Sequence, residues 1–277
     1  MKFKSFNKHW YSWVASALTA ALYFPPLLGA GFSGMVSPPR FELKGNPGEV
    51  IRERLEIQNA DDLPASYSLR TADWDLDKNG GVVIHPAELQ PGSCRPWARL
   101  ERASLRLPGK GLRNYRFEIH IPEDATVGEC RLALLVETSE DEGPLLAKAG
   151  KIQFPVQGRI AVIIYVAVGG AKPNLRVDQL RLEEIDGQYV PVALLHNSGN
   201  AHGRPEGLLD VTDAMGQKLE FNVSPSPILP GESRTIPIRQ STPQGDDDKK
   251  YSPPLKIKGL IEWEDGDYRV DTVLGIN

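Results

Sequence analysis

Every second residue is apolar along Tyr115-Arg116-Phe117-Glu118-Ile119-His120-Ile121, and a segment with that period can bury one face only as a β-strand. Ile51, Leu55 and Ile57 alternate with Arg and Glu from Val50 to Ile57, and Tyr67 and Leu69 follow. Leu132 to Val136 is a more continuous apolar strand. Turn chemistry at Gly45-Asn46-Pro47-Gly48, Asp77-Lys78-Asn79-Gly80-Gly81 and Pro108-Gly109 divides these runs. Strands broken by turns every ~8–12 residues predict an antiparallel sandwich. Helical spacing is not sustained anywhere after the first thirty residues, and 23 prolines fit short strands better than long helices. A second set of strands follows Gly169-Gly170-Ala171-Lys172-Pro173, which reads as a hinge. It includes Leu175 to Leu182, Val190 to Leu195, Gly207 to Val211, Leu219 to Val223, Leu255 to Trp263 and Tyr268 to Val273. The expected fold is all-β: two immunoglobulin-like β-sandwich domains in tandem, over 31–168 and 169–277, after a signal peptide.

Residues 1–30 carry that address. Lys2, Lys4 and Lys8 precede an apolar run from Trp13 to about Ala30 that holds no Asp or Glu, and Gly29, Ala30 and Gly31 supply small residues at its end. This is the layout of a secretory signal peptide. An uncleaved anchor is the alternative, against which Pro25 and Pro26 would damage a spanning helix. No later segment is apolar for long enough to span a membrane as a helix. Removing three lysines and no acids takes the formal charge from −4 to −7, and neither value favours nucleic acid as a partner. Export places Cys94 and Cys130 in a disulfide-permissive compartment, where one bridge is expected; two buried free thiols are the alternative.

The motifs of common chemistries are absent or incomplete. No Gly-x-Ser-x-Gly elbow is present, and no glycine-rich loop follows a strand to open a helix, so the chain does not read as an enzyme. Asp75-x-Asp77-x-Asn79-Gly80 begins like a calcium loop, but the position that needs Glu is Pro86; a hairpin turn is the better reading, with a weak calcium site as the alternative. Trp74 before this turn reads as a half-buried sheet residue. His196-Asn197-Ser198-Gly199-Asn200-Ala201-His202-Gly203 gathers two of the five histidines, but Asn-Ser-Gly-Asn is ordinary turn chemistry and Asp210 and Asp213 are only loosely placed as further ligands. No metal and no cofactor is implied.

Residues 151–168 carry the functional reading. Ile152, Phe154 and Val156 alternate with Gln153, Pro155 and Gln157, and Arg159 then opens the apolar run Ile160 to Val168. Pro155 lacks an N–H and suits an edge strand. An apolar edge can pair with another chain by strand addition. The alternative places the same three residues in the domain's own core.

The pattern Ile152-x-Phe154-x-Val156-x-x-Arg159-Ile160, ending in Tyr165, resembles the PapD-like periplasmic chaperones of pilus assembly. Ser37-Pro38-Pro39-Arg40-Phe41-Glu42-Leu43-Lys44-Gly45 resembles that family's first strand. The chain departs from the family at Val166-Ala167, where Arg-Pro is usual. The resemblance implies a periplasmic protein that holds folding pilus or fimbrial subunits, with an outer-membrane usher as a further partner. It implies that Ile152, Phe154 and Val156 are the pairing strand and that Arg40 and Arg159 anchor the subunit's C-terminal carboxylate in an interdomain cleft. A structural or adhesive module of the cell envelope, built from two rigid sandwiches, is the alternative reading.

Overall fold

In the computed structural model, residues 34–139, 145–149, 152–156, 158–242 and 250–276 are described, with 145–149 and 152–156 described by their backbone alone. The expected signal segment and the polar loop at 245–249 lie outside the described residues. The alternating runs form strands β1 Gly34–Ser37, β2 Arg40–Gly45, β3 Val50–Asn59, β4 Ala65–Leu76, β5 Val82–His85, β6 Ala98–Leu100, β7 Ser104–Leu107, β8 Leu112–His120, β9 Gly128–Thr138, β10 Leu145–Ala149, β11 Ile152–Val156 and β12 Arg159–Val168. A four-stranded sheet runs β1-β3-β8-β6, and a second runs β2-β12-β9-β4-β5, with β7 also paired to β4. The period-two prediction shows directly in β8: Tyr115, Phe117 and Ile119 are buried, while Asn114 and Arg116 are exposed. They meet Leu55 and Ile57 of β3 and Leu132, Leu134, Val162 and Ile164 of the facing sheet in one core. Phe41 packs edge to face on Phe117, with ring centroids 5.2 Å apart.

The continuous apolar runs have a different cause. In β9, Leu132, Leu134 and Val136 fill the sandwich, while Ala133 and Leu135 sit on the opposite face under Trp74 and Tyr165. A strand covered on both faces has no position for a polar residue. Trp74 is buried, not half-buried as expected, because its indole N–H donates to the Leu132 carbonyl at 3.0 Å and the Arg131 guanidinium lies over its ring.

Residues 175–274 form a second unit, of strands β13 Leu175–Ile185, β14 Gln188–Asn197, β15 Leu208–Thr212, β16 Lys218–Val223, β17 Ser233–Gln240, β18 Leu255–Trp263 and β19 Gly266–Leu274. They pair in the order β13-β14-β17-β16-β15-β18-β19 and curl until β13 and β19 approach each other. Leu195, Leu209, Val211, Phe221, Ile236, Ile257 and others fill the interior. The protein is therefore two immunoglobulin-like sandwiches in series. The only helical element among the described residues is the 3₁₀ turn Arg95–Trp97, and no helix there is long and apolar enough to cross a membrane.

Cys94 and Cys130 form a disulfide, with Cα atoms 5.4 Å apart and a sequence separation of 36. The bridge pins the segment before the 3₁₀ turn to the start of β9, where Cys94 N–H donates to the Arg131 carbonyl and Arg131 N–H donates to that of Gly92. Closing a loop of this length stabilises the fold by about 4 kcal/mol through chain entropy. Reduction, or replacement of both cysteines by alanine, is expected to lower the unfolding free energy by about 3–4 kcal/mol in urea titrations. A change below about 1 kcal/mol would show that the bridge contributes little.

Candidate functional site

β12 is covered unequally on its two sides. It pairs antiparallel with β9 along its whole length, from Arg159 opposite Glu137 to Val168 opposite Gly128. It pairs in parallel with β2 only from Ile163, opposite Arg40, to Val168, opposite Gly45. β2 cannot extend further, because Pro38 and Pro39 lack N–H groups and stand where the chain crosses to the other sheet as β1. Among the described residues, Arg159–Val162 therefore have one open edge. Ile163 N–H donates towards Pro39, on the β2 side, so by strand alternation Arg159 and Ala161 turn their N–H and C=O groups to that open side. β10 and β11 form a separate two-stranded ribbon leading into this edge, with Leu145 opposite Val156 and Ala149 opposite Ile152. Ile152, Phe154 and Val156 thus lie in a strand outside both large sheets. Gln157 lies outside the described residues.

The two predicted anchor residues share a face but do not meet. Arg159, Ala161, Ile163 and Tyr165 project to the outer face of the sheet, and Arg40, opposite Ile163, projects the same way. Four residues of strand separate the two arginines, roughly 13 Å at 3.3 Å per residue. Arg40 Nε lies 2.8 Å from Glu42 Oε1. Arg159 pairs with Glu137, which Arg70 also holds at 2.7 and 3.0 Å. Burial pushes the Glu137 carboxyl up, but the hydrogen bonds from Arg70 and Arg159 outweigh it, and the group sits below its ordinary value.

A second cluster occupies the junction of the two sandwiches. Register with β12 places Glu42 of β2 and Arg131 of β9 on either side of Tyr165. The second unit contributes the loop 197–204. Asn197, fully buried, organises it: its side-chain oxygen accepts from Asn174 and Gly199 N–H, and its amide donates to the Ala201 and Ile228 carbonyls. Gly199 must be glycine, since a Cβ there would lie 2.4 Å from the Asn174 nitrogen. The loop is tied to β9 by Glu129 N–H, which donates to the Asn200 carbonyl.

The loop presents His202 and Arg204 to the first unit. His202 Nδ1 lies 2.6 Å from Glu129 Oε2, and Nε2 lies 3.6 Å from Glu42 Oε1. Its ring stacks on Tyr165 with centroids 3.8 Å apart. Arg204 donates to Glu42 at 3.1 Å, to the Tyr165 hydroxyl at 3.2 Å and to the Pro225 carbonyl. These side chains line a cleft of about 130 Å³. His202, with Arg204 and Arg40 behind it, holds the Glu42 carboxyl down at about 2 against burial. Burial pushes the Tyr165 phenol up to about 12. Sequence reasoning missed Glu42, Glu129 and Arg204; the pairing of histidines in a loop beyond a hinge was the available signal.

The remaining sequence candidates have structural roles. Asp77 Oδ1 accepts from Asn79 and Gly81 N–H, at 2.8 Å each, and closes the expected hairpin turn. Asp213 accepts from Met215, Gln217 and Ser252 N–H. Among the described residues, no group of three or more His, Cys, Asp or Glu side chains is arranged to hold a metal ion.

No protein-family model matches the chain, and no curated protein matches it in sequence. In shape it is similar to the CupB2 chaperone of Pseudomonas aeruginosa, at 13% identity and a TM-score of 0.45, over 87% of this chain and 100% of that one. It is also similar to the E. coli chaperone DraB, at 14% identity and a TM-score of 0.42, over 87% and 99% of the two chains. A third likeness is to a Salmonella enterica structure of SafA pilin with the SafB chaperone, at 11% identity and a TM-score of 0.44, over 87% and 97%.

Glu42 gives an acid-range prediction. Its folded value of about 2 lies below the ordinary 4.5, so its contribution is present above pH 4.5 and is lost as pH falls towards 2. Urea midpoints of the native chain are expected to fall more steeply over that range than those of Glu42→Gln. Parallel curves would contradict the assignment.

Proposed function

We propose that this protein holds other polypeptides by β-strand addition at the open edge of β12, as an exported chaperone for subunits of a surface fibre. The observation that carries the reading is the unequal coverage of β12: four residues paired with β9 have no strand on their other side among the described residues. A docked strand would accept from and donate to the backbone of Arg159 and Ala161, and would continue along Ile152, Phe154 and Val156. Such binding is driven by main-chain hydrogen bonds and apolar burial and needs no cofactor or catalytic group. Arg40 and Arg159 flank this edge on one face. Either guanidinium could exchange its present carboxylate for the chain end of a partner, because a planar fork matches two carboxylate oxygens. Fibre subunits as the cargo, an outer-membrane usher and a periplasmic location rest on the family resemblance.

The test uses an envelope extract of the source cell and the purified chain as bait. Arg40→Ala and Arg159→Ala are each expected to reduce capture of a specific partner by about 10-fold or more, since a charge-assisted hydrogen bond contributes roughly 1.5–3 kcal/mol. Both should leave the unfolding free energy within about 1 kcal/mol, because these are surface ion pairs. Ala161→Pro removes one open-side donor and no β9-facing donor, and should abolish capture while the chain stays folded. Equal capture by all four proteins would overturn the strand-addition reading.

A further inference from the structure

His202 faces carboxylates of the first sandwich with both ring nitrogens, Nδ1 towards Glu129 and Nε2 towards Glu42. A neutral imidazole carries one N–H, so it can donate to one of them and must turn a lone pair to the other. Only the imidazolium satisfies both. Glu129 sharpens the requirement: its side chain is 2% exposed, and Oε1 has no hydrogen-bond partner among the described residues. Its charge is met only at Oε2, by the ring and the backbone N–H of His202.

We propose that His202 is a proton-operated latch between the two sandwiches: as an imidazolium it bridges Glu42 and Glu129 and holds the units together, and on losing its proton it releases one of them and loosens the junction. The charges around it are few and named. β9 supplies Glu129, and also Arg131, which is drawn over Trp74. β2 supplies Glu42, with Arg40 on it, and Lys44, which is paired with Glu264 of the second unit. β12 supplies Tyr165, un-ionised at neutral pH. The loop itself supplies Arg204. With His202 protonated, the buried carboxylate of Glu129 has a cation against it; without the proton it is left with a neutral donor in a site 2% exposed, which is costly, while Glu42, half-exposed, keeps Arg204 and Arg40.

The sign of the switch follows. Burial alone would push the imidazole down, but the hydrogen bond to Glu129 and the Glu42 carboxylate 3.6 Å away outweigh it and raise it above the ordinary 6.5. The latch is therefore fully closed below about pH 6.5 and opens as pH rises through the higher folded value. Lys44 with Glu264, and Arg234 donating to the Asp77 carbonyl, cross between the units without His202. Opening thus changes the angle and mobility of the units without separating them.

The partner-free full chain tests this, so the outcome is independent of strand addition at β12. The His202 ring, followed by NMR, is expected to titrate above the 6.5 of a free histidine. Small-angle scattering should show a larger radius of gyration above that midpoint than at pH 6. In His202→Gln the scattering change should be lost. Glu42→Gln should move the His202 midpoint down, and it decides the matter if His202→Gln does not fold. A His202 midpoint at or below 6.5, an unchanged midpoint in Glu42→Gln, or an equal scattering change in His202→Gln would each overturn the latch.

Discussion

The register of β12 is the constraint on which the other features depend. Its inward residues Val162, Ile164, Val166 and Val168 complete the core of the first sandwich. Its outward residues Ala161, Ile163 and Tyr165 form an apolar face with Trp74 and Leu135, against which Leu229 of the second unit packs. Pairing with β2 sets Glu42 beside Tyr165, and pairing with β9 sets Glu129 beside Ala167. A slip of one residue would exchange the two faces, placing Tyr165 in the core and the valines at the junction. The same register decides where β2 ends, and so where the edge opens.

The junction is built from few parts. To the His202 cluster the first unit supplies carboxylates fixed on strands, and the second supplies one short loop whose shape is set by Asn197 and by the close approach at Gly199. Buried charges of this kind return little stability once desolvation is counted, but they are exacting about geometry. Such a cluster suits a boundary whose angle matters more than its strength. The open edge, Arg159–Val162, and the junction at Tyr165 are parts of the same strand β12.

How far the sequence foretold this depended on whether the deciding contacts were local. Alternation over Tyr115 to Ile119 and the turn at Asp77 to Gly81 are local, and each was legible. The bridge between Cys94 and Cys130 was legible from the cysteine count, read with the expectation of an exported chain. The relation of Arg40 to Arg159 was not, because it depends on the parallel register of strands about 120 residues apart. The junction cluster was hidden for the same reason: Glu42, Glu129 and His202 come from three distant segments. Burial of Trp74 escaped because the carbonyl that receives its N–H belongs to another strand.

Amide hydrogen exchange of the isolated chain, resolved by residue along β12, tests the central claim most directly. The account predicts fast exchange at Arg159 and Ala161, whose N–H groups face the open side, and strong protection at Val162 and Ile164, which face β9. Addition of a bound partner should then slow Arg159 and Ala161 selectively. Strong protection of Arg159 and Ala161 in the partner-free chain would contradict it, since the edge would then already be occupied.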